Sequence, residues 1–112
     1  MTADQFRTLA LDLQGAVEGA HMGHADFRAN GRIFASLDKD ERSGMVKLSP
    51  EEQQEFMRAH PGMFDPASGA WGRQGYTTVH LAPAKLAAVR SAMLLAWQAA
   101  VAKPPAKTRR RG

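Results

Sequence analysis

An α+β domain, in which an antiparallel sheet carries its helices on one face, is the fold class that the sequence predicts. The pair Asn30-Gly31 lies inside an alternating run, residues 25–37. It indicates a hairpin, because both residues of a two-residue type I′ turn need positive φ. Residues 86–100 carry apolar side chains at helical spacing. Strands in succession with helices at the ends are typical of this class. The predicted order is a helix, three or four antiparallel strands, a helix, a strand and a final helix.

Two of the helices are predicted from their capping signals. Thr2 and Gln5 have the spacing of a capping box ahead of a one-sided apolar face. Ser49-Pro50 combines an N-cap residue with proline at the first helical position, and Glu52 completes a second capping box. His60-Pro61-Gly62 ends that helix.

The hairpin assigns side chains to two faces of the sheet. With a loop of only Asn30-Gly31, Phe27 would lie opposite Phe34 and Ala29 opposite Arg32, so that the phenylalanines mark the buried face. The second face would then be half apolar and would carry Asp26, Arg28, Ile33, Ala35 and Leu37. We interpret Ile33 and Leu37 as a candidate contact surface for a protein partner or a second copy of the chain.

The glycine-rich stretch 69–75 is interpreted as a turn and not as a phosphate-binding loop. A phosphate loop precedes a helix, whereas residues 76–81 are β-branched and aromatic, as in strands. Arg73 is therefore expected to bind no nucleotide. The longer stretch 63–75 is expected to be irregular, with Met63, Phe64 and Trp71 anchoring it to the core.

The core is expected to join the strands to the last helix, which begins near Pro83. Alternation along residues 76–81 places Thr77, Val79 and Leu81 on one side of the sheet. The side chains that we expect to be buried together are Phe27, Phe34, Val79, Leu86, Val89, Met93 and Trp97.

Charge divides the chain at about residue 102. The last ten residues hold five of the fifteen basic residues and none of the eleven acidic ones, although the whole chain has a net charge of +4. Residues 1–102 therefore carry a net charge of −1, and we expect one folded domain there. Residues 103–112 are expected to form a disordered basic tail, because they contain two prolines and no large apolar side chain.

Composition excludes several classes of protein. There is no cysteine, which excludes disulfides, thiolate zinc sites and cysteine nucleophiles. No apolar run approaches the roughly 20 residues of a membrane span. The first residues carry an early aspartate and a helical pattern in place of a secretory signal. We expect a cytoplasmic protein without a membrane partner.

No motif indicates a metal site, a cofactor or a catalytic centre. His21 and His24 alone cannot fill a zinc site. Asp38-x-Asp40 begins like a calcium loop, but Arg42 and Ser43 stand where a ligand and a glycine are needed. His80 on a strand has the chemistry of a general base, and packing explains it equally well. An enzymatic or metal-binding role therefore ranks third among the candidate functions, and we assign no catalytic residue.

Nucleic-acid binding is the remaining candidate function. Arg28, Arg32 and Lys47 lie on or beside the hairpin strands, and the tail adds Arg109, Arg110 and Arg111. Cations on an accessible surface are what phosphate contacts need. Aspartates in the same region compete with this interpretation, so we expect any DNA binding to be weak, salt-dependent and carried largely by the tail.

The assembled segments resemble the MmcQ/YjbR family. The similar segments are VEGAHMGHADFRANGRIFASL, SPEEQ, FDPASGAWGRQGYTTVHL and LLAW, within about residues 4–98. Tyr76 stands where the family commonly has Trp, and Arg32 where it often has Lys. The resemblance implies a CyaY-like fold with a double-wing motif of DNA-binding type. Iron binding of the frataxin type relies on an acidic ridge along the first helix, where this chain offers only Asp4 and Asp12. The leading interpretation is a non-enzymatic binding protein with DNA affinity, and the alternative is a protein-interaction module.

Overall fold

The fold is a six-stranded antiparallel sheet with three helices packed on one face and a short fourth helix beside its edge. The computed structural model describes residues 1–102, so the predicted tail, residues 103–112, lies outside the described residues. The helices are α1 (Ala3–Leu11), α2 (Pro50–Ala59), α3 (Gly69–Arg73) and α4 (Leu86–Ala102). The strands are β1 (Val17–His21), β2 (His24–Ala29), β3 (Arg32–Leu37), β4 (Ser43–Lys47), β5 (Phe64–Pro66) and β6 (Tyr76–His80). Their order in the sheet is β1-β2-β3-β4-β6-β5. The predicted α+β class and element order are confirmed, with β5 and α3 as additions.

Tight turns connect the first three strands. Asn30 and Gly31 have φ of 57° and 75°, and Ala29 pairs with Arg32 directly across the turn. This confirms the predicted two-residue loop. Met22-Gly23 makes the same kind of turn between β1 and β2, with φ of 51° and 85°. Two such turns in succession keep β1, β2 and β3 adjacent.

A β-bulge between β2 and β3 overturns the predicted assignment of side chains to the sheet faces. Phe27 pairs with Ala35, and Arg28 pairs with Ile33, so Phe34 is an extra residue on β3. The extra residue breaks the alternation, and Phe34 and Ala35 are both buried. Leu37, predicted to form part of a partner surface, is only 1% exposed and belongs to the core. Of the predicted pair, Ile33 alone reaches the surface, with 38% exposure.

The core lies between the sheet and helices α1, α2 and α4. Gly44 allows α1 to approach closely, since a Cβ at this position would lie 2.7 Å from the Phe6 ring. Val79, Val89 and Met93 are buried as predicted, together with Phe27 and Phe34. Leu86 is 41% exposed, so its predicted burial is wrong. Trp97 packs at the core margin, where its indole nitrogen donates to the Gln14 carbonyl at 2.9 Å.

Helix α2 is fixed at its start and along its buried face. Its predicted capping box between Ser49 and Glu52 is present in both directions. Gln53 is buried, and its amide nitrogen donates to the carbonyl of Tyr76 at 3.1 Å and to Thr77 Oγ1 at 3.2 Å. The same nitrogen lies 3.0 Å from the carbonyl oxygen of Gly72. One side chain therefore ties α2 to β6 and α3.

The stretch 63–75 is more ordered than the sequence predicted. It contains β5 and α3, which are too short to show a period in the sequence. Met63 and Phe64 are buried as expected, but Trp71 is 59% exposed and does not anchor the core. Gly75 is a turn residue before β6, as predicted, because its φ is 104° and a Cβ there would lie 1.9 Å from the Leu48 carbonyl oxygen.

The bulge makes adjacent residues of β3 a direct test of the fold. Phe34→Ala should lower the free energy of unfolding by about 3 to 5 kcal/mol, because it leaves a cavity in a packed core. Ile33→Ala, one residue earlier, should cost no more than about 1 kcal/mol, because Ile33 is half in solvent. Urea unfolding measures both. Equal losses would contradict the observed placement of the bulge.

Candidate functional site

The sheet face opposite the helices carries polar side chains. One row of paired residues crosses all six strands on this face: Gly19, Asp26, Ser36, Met45, Thr78 and Asp65. A second pair, Lys47 and Tyr76, lies next to this row on β4 and β6. The inward neighbours on β6, Thr77 and Val79, are buried, which confirms the predicted alternation of that strand.

A groove of about 670 Å³ lies where the Asn30-Gly31 turn, the start of α2 and the end of α4 meet. We call it the basic groove. Arg28, Arg32 and Lys47, the three cations of residues 1–102 predicted to contact nucleic acid, all line it. Asn30 holds the turn against α4 by donating to the Ala100 carbonyl at 3.1 Å. The other principal lining residues are Ile33, Ser49, Glu52, Tyr76, Ala96 and Ala99.

Arg28 is held in place by a buried carboxylate. Its Nε and one terminal nitrogen donate to the two oxygens of Asp26 at 2.8 and 3.0 Å. The Asp26 side chain is 1% exposed, whereas that of Arg28 is 41% exposed. Gly19 on the neighbouring strand provides the space, since a Cβ there would lie 2.9 Å from Asp26 Oδ1. The pair therefore presents a guanidinium of fixed orientation at the surface.

The same contact sets the protonation of Asp26. The hydrogen bonds from Arg28 hold the pKa of the Asp26 carboxyl below its usual value, against the opposing effect of burial. Asp26 is consequently ionised in the folded protein, and Arg28 keeps its partner at neutral pH.

Two aromatic rings meet beside Lys47: Tyr76 lines the groove, and Trp71 lies next to it, outside the groove lining. The Lys47 ammonium lies 4.9 Å from the centre of the Tyr76 ring, within cation–π range. Trp71 packs against Tyr76 edge to face, with ring centres 5.0 Å apart and an interplanar angle of 83°. The sequence had assigned Trp71 to the core and Tyr76 only to the outer face of a strand. No sequence signal linked them, because they come together through the fold of α3.

Acidic residues also lie on and near this surface. Glu52, which lines the groove, accepts the Ser49 backbone N–H at 2.9 Å in the capping box. Asp65 lies 2.7 Å from His80 Nε2. Glu18 and Asp4 both contact Arg7. The groove is lined by three cations and one acidic residue, Glu52, and Asp26 offsets the charge of Arg28. A small excess of positive charge remains although the domain as a whole is slightly negative, and this chemistry suits an anionic ligand.

The histidines and aspartates considered as metal ligands lie in other arrangements. His21 and His24 face each other across the Met22-Gly23 turn with ring centres 5.8 Å apart. Asp38 accepts a hydrogen bond from the Ser43 hydroxyl, and Asp40 accepts the Arg42 backbone N–H, as expected in a turn. Within residues 1–102, no three His, Cys, Asp or Glu side chains form a group able to hold a metal ion.

The family model described as YjbR matches residues 11–99. The chain belongs to the YjbR family. A solved structure with the same fold is that of the Deinococcus radiodurans protein DR2400, described as carrying domain DUF419. It is 20% identical, has a TM-score of 0.72, and the match covers 88% of this chain and 77% of that one. No curated protein matches the sequence.

The predictions about a membrane span and about the basic tail remain. In the part of the chain that the structure describes, no helix is long and apolar enough to cross a membrane. Arg109, Arg110 and Arg111, the predicted tail contacts, lie outside the described residues.

The Asp26–Arg28 pair predicts how stability responds to acid. Folding lowers the pKa of the Asp26 carboxyl from 3.8. The stability that the ionised carboxyl contributes is fully present above pH 3.8 and is lost as the pH falls toward the lowered pKa of the folded protein. Wild-type protein should therefore lose more unfolding free energy between pH 6 and pH 3 than Asp26→Asn, which has no carboxyl to protonate. At pH 7 the variant should be less stable by about 1 to 3 kcal/mol.

Urea unfolding at several pH values measures this difference. Glu55→Gln, at an exposed position on α2, is the matched control and should follow the wild-type profile. Parallel profiles for Asp26→Asn and wild type would show that the pair contributes nothing to the acid sensitivity.

Proposed function

We propose that this protein binds DNA and that the basic groove receives the phosphate backbone. The observation that carries the proposal is the convergence of three cations on one groove of a domain with net charge −1: Arg28 and Arg32 from either side of the Asn30-Gly31 turn, and Lys47 from β4. A domain with a slightly negative net charge attracts a polyanion only if its cations are clustered on one part of the surface.

The strands that carry the cations span the length of a short run of phosphates. Arg28, Arg32 and Lys47 lie on three adjacent strands, and Tyr76 lies on the fourth. Neighbouring strands are about 4.8 Å apart, so the four strands span about 14 Å. At about 3.4 Å of axial rise per charge on one DNA strand, that distance covers about four phosphates. The groove lined by Arg28, Arg32, Lys47 and Tyr76 is therefore wide enough, at the level of the strands, to follow a short run of backbone.

Preorganisation strengthens this interpretation for Arg28. Two of its nitrogens are occupied by Asp26, and its remaining terminal nitrogen, Nη1, makes no hydrogen bond within residues 1–102. An arginine whose orientation is already fixed loses less conformational entropy when it contacts a phosphate. The basic tail, Arg109 to Arg111, follows the helix that forms one wall of the groove, and we propose that it adds charge without setting orientation.

The alternative, a protein-interaction surface built on the sheet face by Ile33 and Leu37, is not proposed. It required Leu37 and Ala35 to lie on the outer face, and both are core residues. The surviving member, Ile33, lines the basic groove itself.

Lys47→Gln tests the groove without leaving a buried charge unpaired. Removing one phosphate contact should reduce the slope of log affinity against log salt by about 1 and weaken DNA binding about 5- to 10-fold near 0.1 M salt. Fluorescence anisotropy of a labelled oligonucleotide across a salt series provides the measurement.

The control for charge is Arg90→Gln. Arg90 is on α4 and lines the cleft between α4 and α1, away from the basic groove. Its loss should change neither the affinity for DNA nor the slope of log affinity against log salt. A chain ending at Ala102 separates the contribution of the tail, since Lys47→Gln should still weaken binding in that background. If Lys47→Gln and Arg90→Gln behave alike in the shortened chain, the groove does not bind DNA.

A further inference from the structure

The geometry points to a more specific ligand: we propose that the basic groove binds an unpaired nucleic-acid strand and that a base of this strand stacks on Trp71. This inference rests on the proposed function. It is carried by a different observation, the exposed ring of Trp71, which packs against the half-buried ring of Tyr76 beside Lys47.

Trp71 is exposed and is not part of the hydrophobic core, so core packing does not account for a tryptophan at this position. Tryptophan is usually well buried, yet this side chain is 59% exposed and contacts another surface ring. The second tryptophan of the chain, Trp97, shows the ordinary arrangement, with its ring against the core and its nitrogen bonded to the Gln14 carbonyl. Only Trp71 therefore offers a large ring area to a ligand.

The helix that carries Trp71 is rigidly held. Gly72, the next residue, packs so closely that a Cβ there would lie 2.1 Å from the Ala67 carbonyl oxygen. The Gly72 carbonyl accepts a hydrogen bond from the buried Gln53 amide at 3.0 Å. These contacts hold the backbone that carries the ring, and the edge-to-face contact with Tyr76 restrains the ring itself. A fixed ring loses little conformational entropy when a base stacks on it.

The combination of rings and cations distinguishes an unpaired strand from a duplex. In a duplex the faces of the bases are already stacked on one another, so an exposed indole has no base face to contact. In a single strand the faces are available, and aromatic stacking beside a positively charged groove is the usual mode of binding. The cations here also line a concavity, whereas elements that read a duplex protrude into its grooves. Stacking tolerates any base, so we expect little sequence preference.

The two tryptophans allow stacking to be observed directly. Addition of a twelve-residue oligothymidylate should quench the fluorescence of Trp97→Phe, in which Trp71 is the only indole. The same addition should leave the fluorescence of Trp71→Phe nearly unchanged, because Trp97 does not line the groove and its indole nitrogen is bonded to the Gln14 carbonyl. Quenching confined to Trp71→Phe would overturn the proposal.

Affinity provides the second measurement. Trp71→Ala should weaken binding of oligothymidylate about 5- to 150-fold, the range measured when one stacking residue is lost, and should leave the salt slope unchanged. Trp71→Phe should retain most of the affinity, because it preserves a ring. A duplex of the same length should bind more weakly than the single strand and should be indifferent to Trp71→Ala. Oligouridylate of the same length shows whether DNA or RNA is preferred. A thermal melt checks that each variant is folded.

The outcomes separate the two proposals. If Lys47→Gln weakens binding and Trp71→Ala does not, the basic groove binds DNA but the unpaired-strand proposal is wrong. If neither substitution changes affinity, the proposed function itself fails.

Discussion

The extra residue at Phe34 in β3 determines which side chains reach solvent and which enter the core. Before it, Arg28 pairs with Ile33, and both lie toward the basic groove. After it, Ala35 pairs with Phe27 on one side and with Val46 on the other, and all three are buried. An uninterrupted ladder would have turned Ala35 and Leu37 outward and left the sheet with an apolar outer face. The bulge instead gives the core two consecutive buried residues and leaves the outer surface polar.

The buried carboxylate of Asp26 acts on this surface as a group that positions Arg28. Removing one partner of such a pair is destabilising, but the intact pair adds less net stability than its short contacts suggest, because desolvating the carboxylate offsets much of the attraction. What the pair does achieve is orientation: a bidentate contact fixes the guanidinium plane of Arg28 at the margin of the groove. Gly19 is part of the same arrangement, since any side chain there would collide with the carboxylate. Lys47, in contact with the Tyr76 ring, is restrained at the other end.

Local sequence signals predicted much of the fold and part of the site. The Asn30-Gly31 turn and the capping boxes at Thr2 and Ser49 follow from backbone chemistry within four residues, and they are correct. The bulge was missed because alternation assumes continuous pairing and nothing in residues 32–37 marks the extra residue. Trp71 was misplaced because residue type favours burial, whereas in the short helix α3 it is Gly72, the next residue, that is buried and bonded to Gln53. The three cations were identified from their positions on strands, but net charge gave no hint that they share one groove.

A perturbation map by nuclear magnetic resonance tests the central claim most directly, because it locates the ligand on the folded protein. Isotope-labelled protein is titrated with oligothymidylate, and the backbone amides and both indole N–H signals are followed. We expect the largest shifts at the Trp71 indole and at the amides of Gly31, Lys47 and Tyr76, with the Trp97 indole and the amides of α1 unaffected. Shifts confined to α1 and the outer side of α4, or to residues beyond Ala102, would show that the basic groove is not the binding site.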